Sequence, residues 1–94
     1  MIQIVQLIWD DWNIEHIARH DVIPQEVEEV CEGDPFWSET YQGRLRLVGN
    51  TKAGRTLTII LAPKTNDTYY PVTARSASRQ ERKRYADIKR SVAA

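Results

Sequence analysis

The chain is poor in cysteine, glycine, proline and long apolar stretches, and each shortage excludes something. Its 94 residues include one cysteine, Cys31. A lone thiol makes neither an internal disulfide nor a cysteine-based zinc site, so a reducing, cytoplasmic setting is expected. The four glycines and four prolines are isolated punctuation. They form no glycine-rich phosphate loop, low-complexity tract or linker, and no segment repeats. The longest apolar stretch, Leu57 to Ala62 with Thr58 inside it, has strand length. It falls far short of the roughly 20 residues that span a bilayer. Met1-Ile2-Gln3-Ile4 has no basic start and no long apolar run behind it, so no secretory signal is expected.

With 41% hydrophobic and 28% charged residues the composition excludes a disordered or fibrous chain. The length argues for one domain over 1–94 with a small core, because folding at this size hides only about two-thirds of the chain's surface. The formal net charge of zero conceals an asymmetry. Residues 1–41 hold ten acids against Arg19 alone, net −9, and residues 42–94 hold twelve bases against Asp67, Glu81 and Asp87, net +9. Such a split predicts a basic surface with an anionic partner. The alternative is that the two halves pack together and pair their charges.

The pattern predicts an α+β domain. Ile2-Gln3-Ile4-Val5-Gln6-Leu7-Ile8 is β-branched and nearly continuous, as in a strand buried on both faces. Asp10 or Asp11 caps a short helix over Trp12 to His20, with Trp12, Ile14, Ile17 and Ala18 as its apolar stripe. Pro24 opens a second, acidic helix with Val27, Val30 and Cys31 inward, and Gly33 ends it. Strands follow over Phe36 to Tyr41, Gly43 to Gly49, Arg55 to Ala62 and Thr68 to Arg75, with turns at Gln42-Gly43, Asn50 to Gly54 and Pro63 to Asp67. Pro71 inside the last strand predicts an edge or a bulge. Paired as a meander, these strands place Leu45, Leu47, Leu57, Ile59, Leu61, Tyr70 and Val72 on a core face. Arg44, Arg46, Thr56, Thr58, Tyr69, Thr73 and Arg75 fall on the other, which is either solvated or a site.

Ser78-Arg79-Gln80-Glu81 is a capping box that opens a C-terminal helix running to about Arg90. Tyr85, Ile88 and Val92 share one side of it, and Arg79, Lys83 and Arg90 lie nearly opposite, with Arg82 and Lys89 beside them. Like charges three and four residues apart repel by a few tenths of a kcal/mol per pair. A helix face that accepts this repulsion suits phosphates, as well as plain solvent. Tyr85 and the other aromatics are candidate planes for unpaired bases, or core.

RNA cleavage without metal needs a base for the 2′-hydroxyl, cations for the charge growing on the phosphate and an acid for the leaving oxygen. His20 is the natural acid or base, since an unperturbed imidazole titrates near pH 6.5. It equally suits a helix C-terminus as a partner of free carbonyls. His16 and His20 stand four apart, but Glu15 precedes His16 where the metalloprotease order needs Glu after the first His. No metal or cofactor is expected.

Val72-Thr73-Ala74-Arg75-Ser76-Ala77-Ser78-Arg79-Gln80-Glu81-Arg82-Lys83-Arg84-Tyr85 resembles the ending of the BrnT family of toxins, usually Ser-Ala-Arg-Lys-Ala-Thr-x-x-Glu-Arg-x-x-Tyr. Trp9-Asp10, then Arg19-His20-Asp21-Val22 and Asp34-Pro35, resemble the family's Trp-Asp, Lys-His-Gly-Val and Asp-Pro. Leu47-Val48-Gly49 with Gly54-Arg55 is a third, weaker match. The departures are Asp21 for the usual Gly, Ser76 for Lys and Cys31 for Phe. The resemblance spans about Trp9 to Tyr85. It implies a RelE-like fold, a twisted and mainly antiparallel sheet in the order β-α-α-β-β-β-β-α. It also implies the toxin of a type II toxin–antitoxin system, a metal-independent endoribonuclease that stops translation. The implied partners are RNA and a BrnA-like antitoxin, with operator DNA reached only through the antitoxin and no membrane. On this reading Arg75, Arg79 and His20 are catalytic, and Arg46, Lys52, Arg55, Arg82, Lys83 and Tyr85 hold RNA. The alternative is a decayed toxin, serving as a non-catalytic nucleic-acid-binding module or a protein-interaction domain.

Overall fold

The computed structural model describes residues 6–65 and 67–93, the last two by backbone alone. The elements are β1 (Gln6–Leu7), α1 (Asp11–Ala18), α2 (Pro24–Glu32), β2 (Phe36–Glu39), a 3-10 turn (Tyr41–Gly43), β3 (Leu45–Asn50), β4 (Thr56–Pro63), β5 (Thr68–Ser76) and α3 (Arg79–Ala93). This is the expected α+β order. The first expected strand is seen only at its end, since residues 2–5 lie outside the described set, and Val92's side chain is likewise not described. One sheet of strand order β1-β5-β4-β3-β2 carries the molecule, with β1 parallel to β5 and every other pair antiparallel.

Leu45, Leu47, Leu57, Ile59, Leu61 and Ala74 project from one sheet face to meet Ile17, Val22, Val27 and Val30 from the α1–α2 layer. The opposite face bears a smaller cluster, in which Tyr85 of α3 and Ala77 pack on Val48 and Phe36. The helices therefore form two unequal layers. α1 and α2 cover the broad core, and α3 lies over the β2–β3 side of the other face.

Two local features differ from the sequence reading, each for a physical reason. The strict alternation expected along β5 breaks, because Ile60 pairs with Thr73 but Leu61 pairs with Pro71. Val72 is the extra residue of a bulge, the irregularity that Pro71 foreshadowed. Beyond it the faces exchange. Pro71 is buried and Tyr69 packs on the core, in place of Val72 and Tyr70. Tyr70 instead donates its hydroxyl hydrogen bond to the Asp10 carboxylate, with O–O distances of 2.9 and 3.0 Å.

The buried stripe of α1 is Asn13 and Ile17, whereas Trp12 is 58% exposed and Ile14 also faces solvent. Asn13 tolerates burial because its polar atoms are satisfied. Its Nδ2 donates to the Ile8 carbonyl at 2.9 Å, and its Oδ1 accepts from the Asp10 backbone N–H at 2.9 Å. Asp10 Oδ1 accepts in return from Asn13 N–H, which closes a reciprocal cap.

The chain leaves α1 through a Schellman turn. Val22 N–H bonds the Ile17 carbonyl at 3.2 Å and Asp21 N–H bonds the Ala18 carbonyl at 3.0 Å, with Ile17 and Val22 buried together. This places Asp21 at φ 59°, in the left-handed region. It is the position where the BrnT pattern has glycine. Asp21→Gly removes a left-handed penalty of about 1–2 kcal/mol for an ordinary L-residue, less for Asp, against about 0.4–1 kcal/mol of added unfolded-chain entropy. A small net gain is expected, read as a higher urea midpoint. Gly49 has a different role. A Cβ there would lie 2.9 Å from Val30 Cγ1 and 3.0 Å from Pro35 Cβ, so its missing side chain lets α2 and the start of β2 close on β3.

Candidate nucleic-acid interface

The strand registers lay out the face beneath α3. Phe36, Val48, Thr58 and Arg75 form one cross-strand row, and Ser38, Arg46, Ile60 and Thr73 form the next. α3 seats its Tyr85 at the Phe36–Val48 end of the first row. A groove of about 530 Å³ remains beside the helix, lined by Arg46, Ser78, Gln80, Glu81, Lys83, Arg84 and Asp87. Arg46 comes from the sheet and Lys83 and Arg84 from the helix. None of the three makes an ion pair among the described residues. Arg84 also lies 5.9 Å over the Phe36 ring.

The start of α3 is tightly organised. Ser78 N–H donates to Glu81 Oε1 at 2.8 Å and Glu81 N–H donates to Ser78 Oγ at 3.1 Å, the reciprocal cap read from the sequence. Arg75 approaches the same carboxylate as a fork. Its Nη1 reaches Oε1 at 2.8 Å and its Nη2 reaches Oε2 at 3.1 Å. These hydrogen bonds from Arg75, opposed by burial and aided by the Ser78 backbone, hold the Glu81 carboxyl down at about 2, while Arg75 is raised in turn. A carboxylate with a depressed folded-state pKa stabilises the fold above its unfolded value, near 4.5, and loses that contribution as pH falls toward about 2. The urea midpoint of the wild type is therefore expected to fall more steeply between pH 5 and 2 than that of Glu81→Gln.

The other expected site residues divide. Arg75, Arg79, Arg46 and Lys83 gather at the sheet face and the first turns of α3. Arg82 sits in the same turns but folds back, donating to the Ala77 carbonyl at 2.9 Å. Tyr85 is drawn into the small core and its hydroxyl donates to the Asp34 carbonyl at 3.3 Å, so it presents no free ring to a base. Lys52 lies in the β3–β4 turn, its backbone N–H held by Glu29 at 3.1 Å.

Arg55 is a tether. It donates to the carbonyls of Asp21 and His20, to the Glu26 carboxylate at 3.2 Å and to Ser76 Oγ at 3.0 Å. His20 is exposed, with its ring edge-on to His16 at 6.0 Å. It stands at the Ser76 end of β5, yet it is not among the groove-lining residues. The two halves of the chain do pair charges at Arg55–Glu26 and Lys89–Asp34. The groove cations escape that pairing.

Cys31 packs against the main core, where burial, then Glu28 and Glu32, push its thiol up to about 12, so it is not a thiolate nucleophile. Among the described residues no three His, Cys, Asp or Glu side chains cluster to hold a metal ion, and no helix is long and apolar enough to cross a membrane. Ser78, Gln80, Glu81, Arg84 and Asp87 line the groove without having been site candidates in the sequence, and of these Arg84 and Glu81 bear most on its charge. Arg84 carried a signal, being one of a run of bases on the helix. Glu81 carried none, because its role as a cap accounted for it fully.

No protein-family model matches the chain, nor does any curated protein or solved structure.

Proposed function

We propose that the chain is a toxin-type endoribonuclease that resembles the BrnT family, binding RNA in the groove between the open sheet face and α3 and cleaving it without a metal. One observation supports this most. Arg46, Lys83 and Arg84 line one groove and none of them makes an ion pair among the described residues, the two carboxylates that also line it, Glu81 and Asp87, being bonded to Arg75 and Arg90. Cations arranged around one cavity repel one another unless an anion occupies it, and a polyphosphate backbone supplies about one charge for each. Arg75, near the end of β5, and Arg79, the first residue of α3, are the proposed stabilisers of the charge that grows on phosphorus oxygens when the 2′-hydroxyl attacks. His20 at the same end of the sheet is the proposed proton carrier. The proposed setting is the cytoplasm, with a BrnA-like antitoxin as partner and operator DNA contacted only through it.

A second reading, RNA binding without cleavage, has its own observation in favour. No histidine lines the groove, and the carboxylate poised there, Glu81, is held too low to act as a base near neutrality. Incubation with RNA in the presence of chelator, followed by mapping of product ends, separates the two. The enzyme reading expects discrete fragments ending in cyclic phosphate, with cleavage reduced about 10²–10⁴-fold in His20→Ala. Salt-sensitive RNA binding with intact RNA would leave the binding module.

A further inference from the structure

The donor set that closes on Glu81 is the one a phosphate would use. A guanidinium fork from Arg75 and a backbone N–H at a helix start, Ser78, converge on its two carboxylate oxygens at 2.8–3.1 Å. Thr58 stands opposite Arg75 in the cross-strand row, is 2% exposed, and its hydroxyl has no hydrogen-bond partner among the described residues while helping to hold the Glu81 carboxylate ionised. Planar fork, helix N–H and hydroxyl are the groups that bind tetrahedral oxyanions. Arg75 is 45% exposed and the Glu81 side chain 17%, so the pair is reached from the Arg75 side, beside unpaired Arg46, Lys83 and Arg84. The guanidinium is the more exposed partner, so an incoming anion can compete for it, and the fork geometry that binds the carboxylate suits a phosphate equally.

We infer that Arg75, Ser78 N–H and Thr58 form a phosphate subsite whose resident anion is Glu81, so that an RNA phosphate binds there only by displacing that side chain. This rests on the RNA-binding reading above and adds what limits it. Glu81 is a built-in competitor that keeps Arg75 aimed while the groove is empty and swings away when substrate arrives. The flexible three-carbon reach that lets glutamate cap the helix also lets it leave, and Ser78 Oγ still caps the Glu81 N–H when it does.

The test is the affinity of a fluorescein-labelled single-stranded RNA of mixed sequence, followed by anisotropy across a salt series. It uses the wild-type chain, Glu81→Gln, Arg75→Ala and the double variant. Glutamine serves as well as glutamate at this capping position, so the charge is removed with the helix start preserved. Glu81→Gln is expected to bind about tenfold more tightly at low salt. Its salt slope is expected to steepen by about 0.7, the value of one further phosphate contact on a single strand. The Arg75→Ala background is expected to cancel most of that gain.

A gain of equal size in the Arg75→Ala background would overturn the subsite, because removing any nearby acid would then account for it. No gain at all in a wild-type chain that binds RNA would overturn it too, while leaving the RNA-binding reading intact. Absence of RNA binding in all four proteins would remove that reading and the subsite together.

Discussion

Arg75→Ala combined with Arg79→Ala is expected to lower RNA cleavage by about 10³-fold or more while leaving the fold in place. Each arginine is proposed to meet charge that develops only in the transition state, and removing one such preorganised donor typically costs about 10²–10³ in rate. The two act on one phosphate, so their effects will not simply multiply. The stability cost is expected to be moderate. Arg75 is 45% exposed, but its fork to the largely buried Glu81 carboxylate is bidentate and worth more than a plain surface ion pair. Arg79 makes no ion pair among the described residues. The measurement is initial cleavage rate on a defined RNA with a urea titration of the same protein. Undiminished cleavage in a folded double variant would remove these arginines from the mechanism. Loss of cleavage together with a large fall in midpoint would show a structural role instead.

Arg55→Ala is expected to have the opposite signature, with stability falling by about 2–3 kcal/mol and RNA affinity nearly unchanged. The guanidinium serves two main-chain carbonyls in the α1–α2 turn, one carboxylate on α2 and one hydroxyl on β5. Hydrogen bonds to charged groups are worth about 1.5–3 kcal/mol each before solvent competition, and Arg55 is 30% exposed, so the full sum is not realised. Removing it leaves Glu26 without its cation and the helical layer untied from the sheet. Arg55→Lys cannot reproduce the fork and should recover little. If Arg55 were a phosphate contact, its loss would flatten the salt dependence of RNA binding by about 0.7. An unchanged slope with a lowered urea midpoint is the expected result, and the reverse pattern would return Arg55 to the RNA surface.

Arg55 shows why some site residues were not legible in the chain. Its type and its place in the basic half marked it as an RNA contact. Only the fold brings Asp21, Glu26 and Ser76 within reach of it, from positions 21 to 34 residues away. Tyr85 fell the same way. An aromatic beside a run of bases suits stacking, until α3 turns that ring onto Val48 and Phe36. The groove itself needed the registers of three strands, which bring Arg46 under α3.

What the residue order alone determined is local. The caps at Asp10 and Ser78, the proline that opens α2, the glycine that ends it and the sequence of elements rest on interactions within a few residues, so their signals are complete in the chain. The charge division between the halves is likewise a property of the chain. Tertiary structure decided which cations remain free. Arg55 and Lys89 met carboxylates of the acidic half, Arg75 met Glu81, and Arg46, Lys83 and Arg84 were left facing a cavity. A charge carries no record of its partner in sequence, because pairing depends on distances between side chains that only the packed sheet and helices set. The bulge at Val72 is the sharpest case, since one residue beyond the expected alternation exchanged Tyr69 and Tyr70 between core and surface.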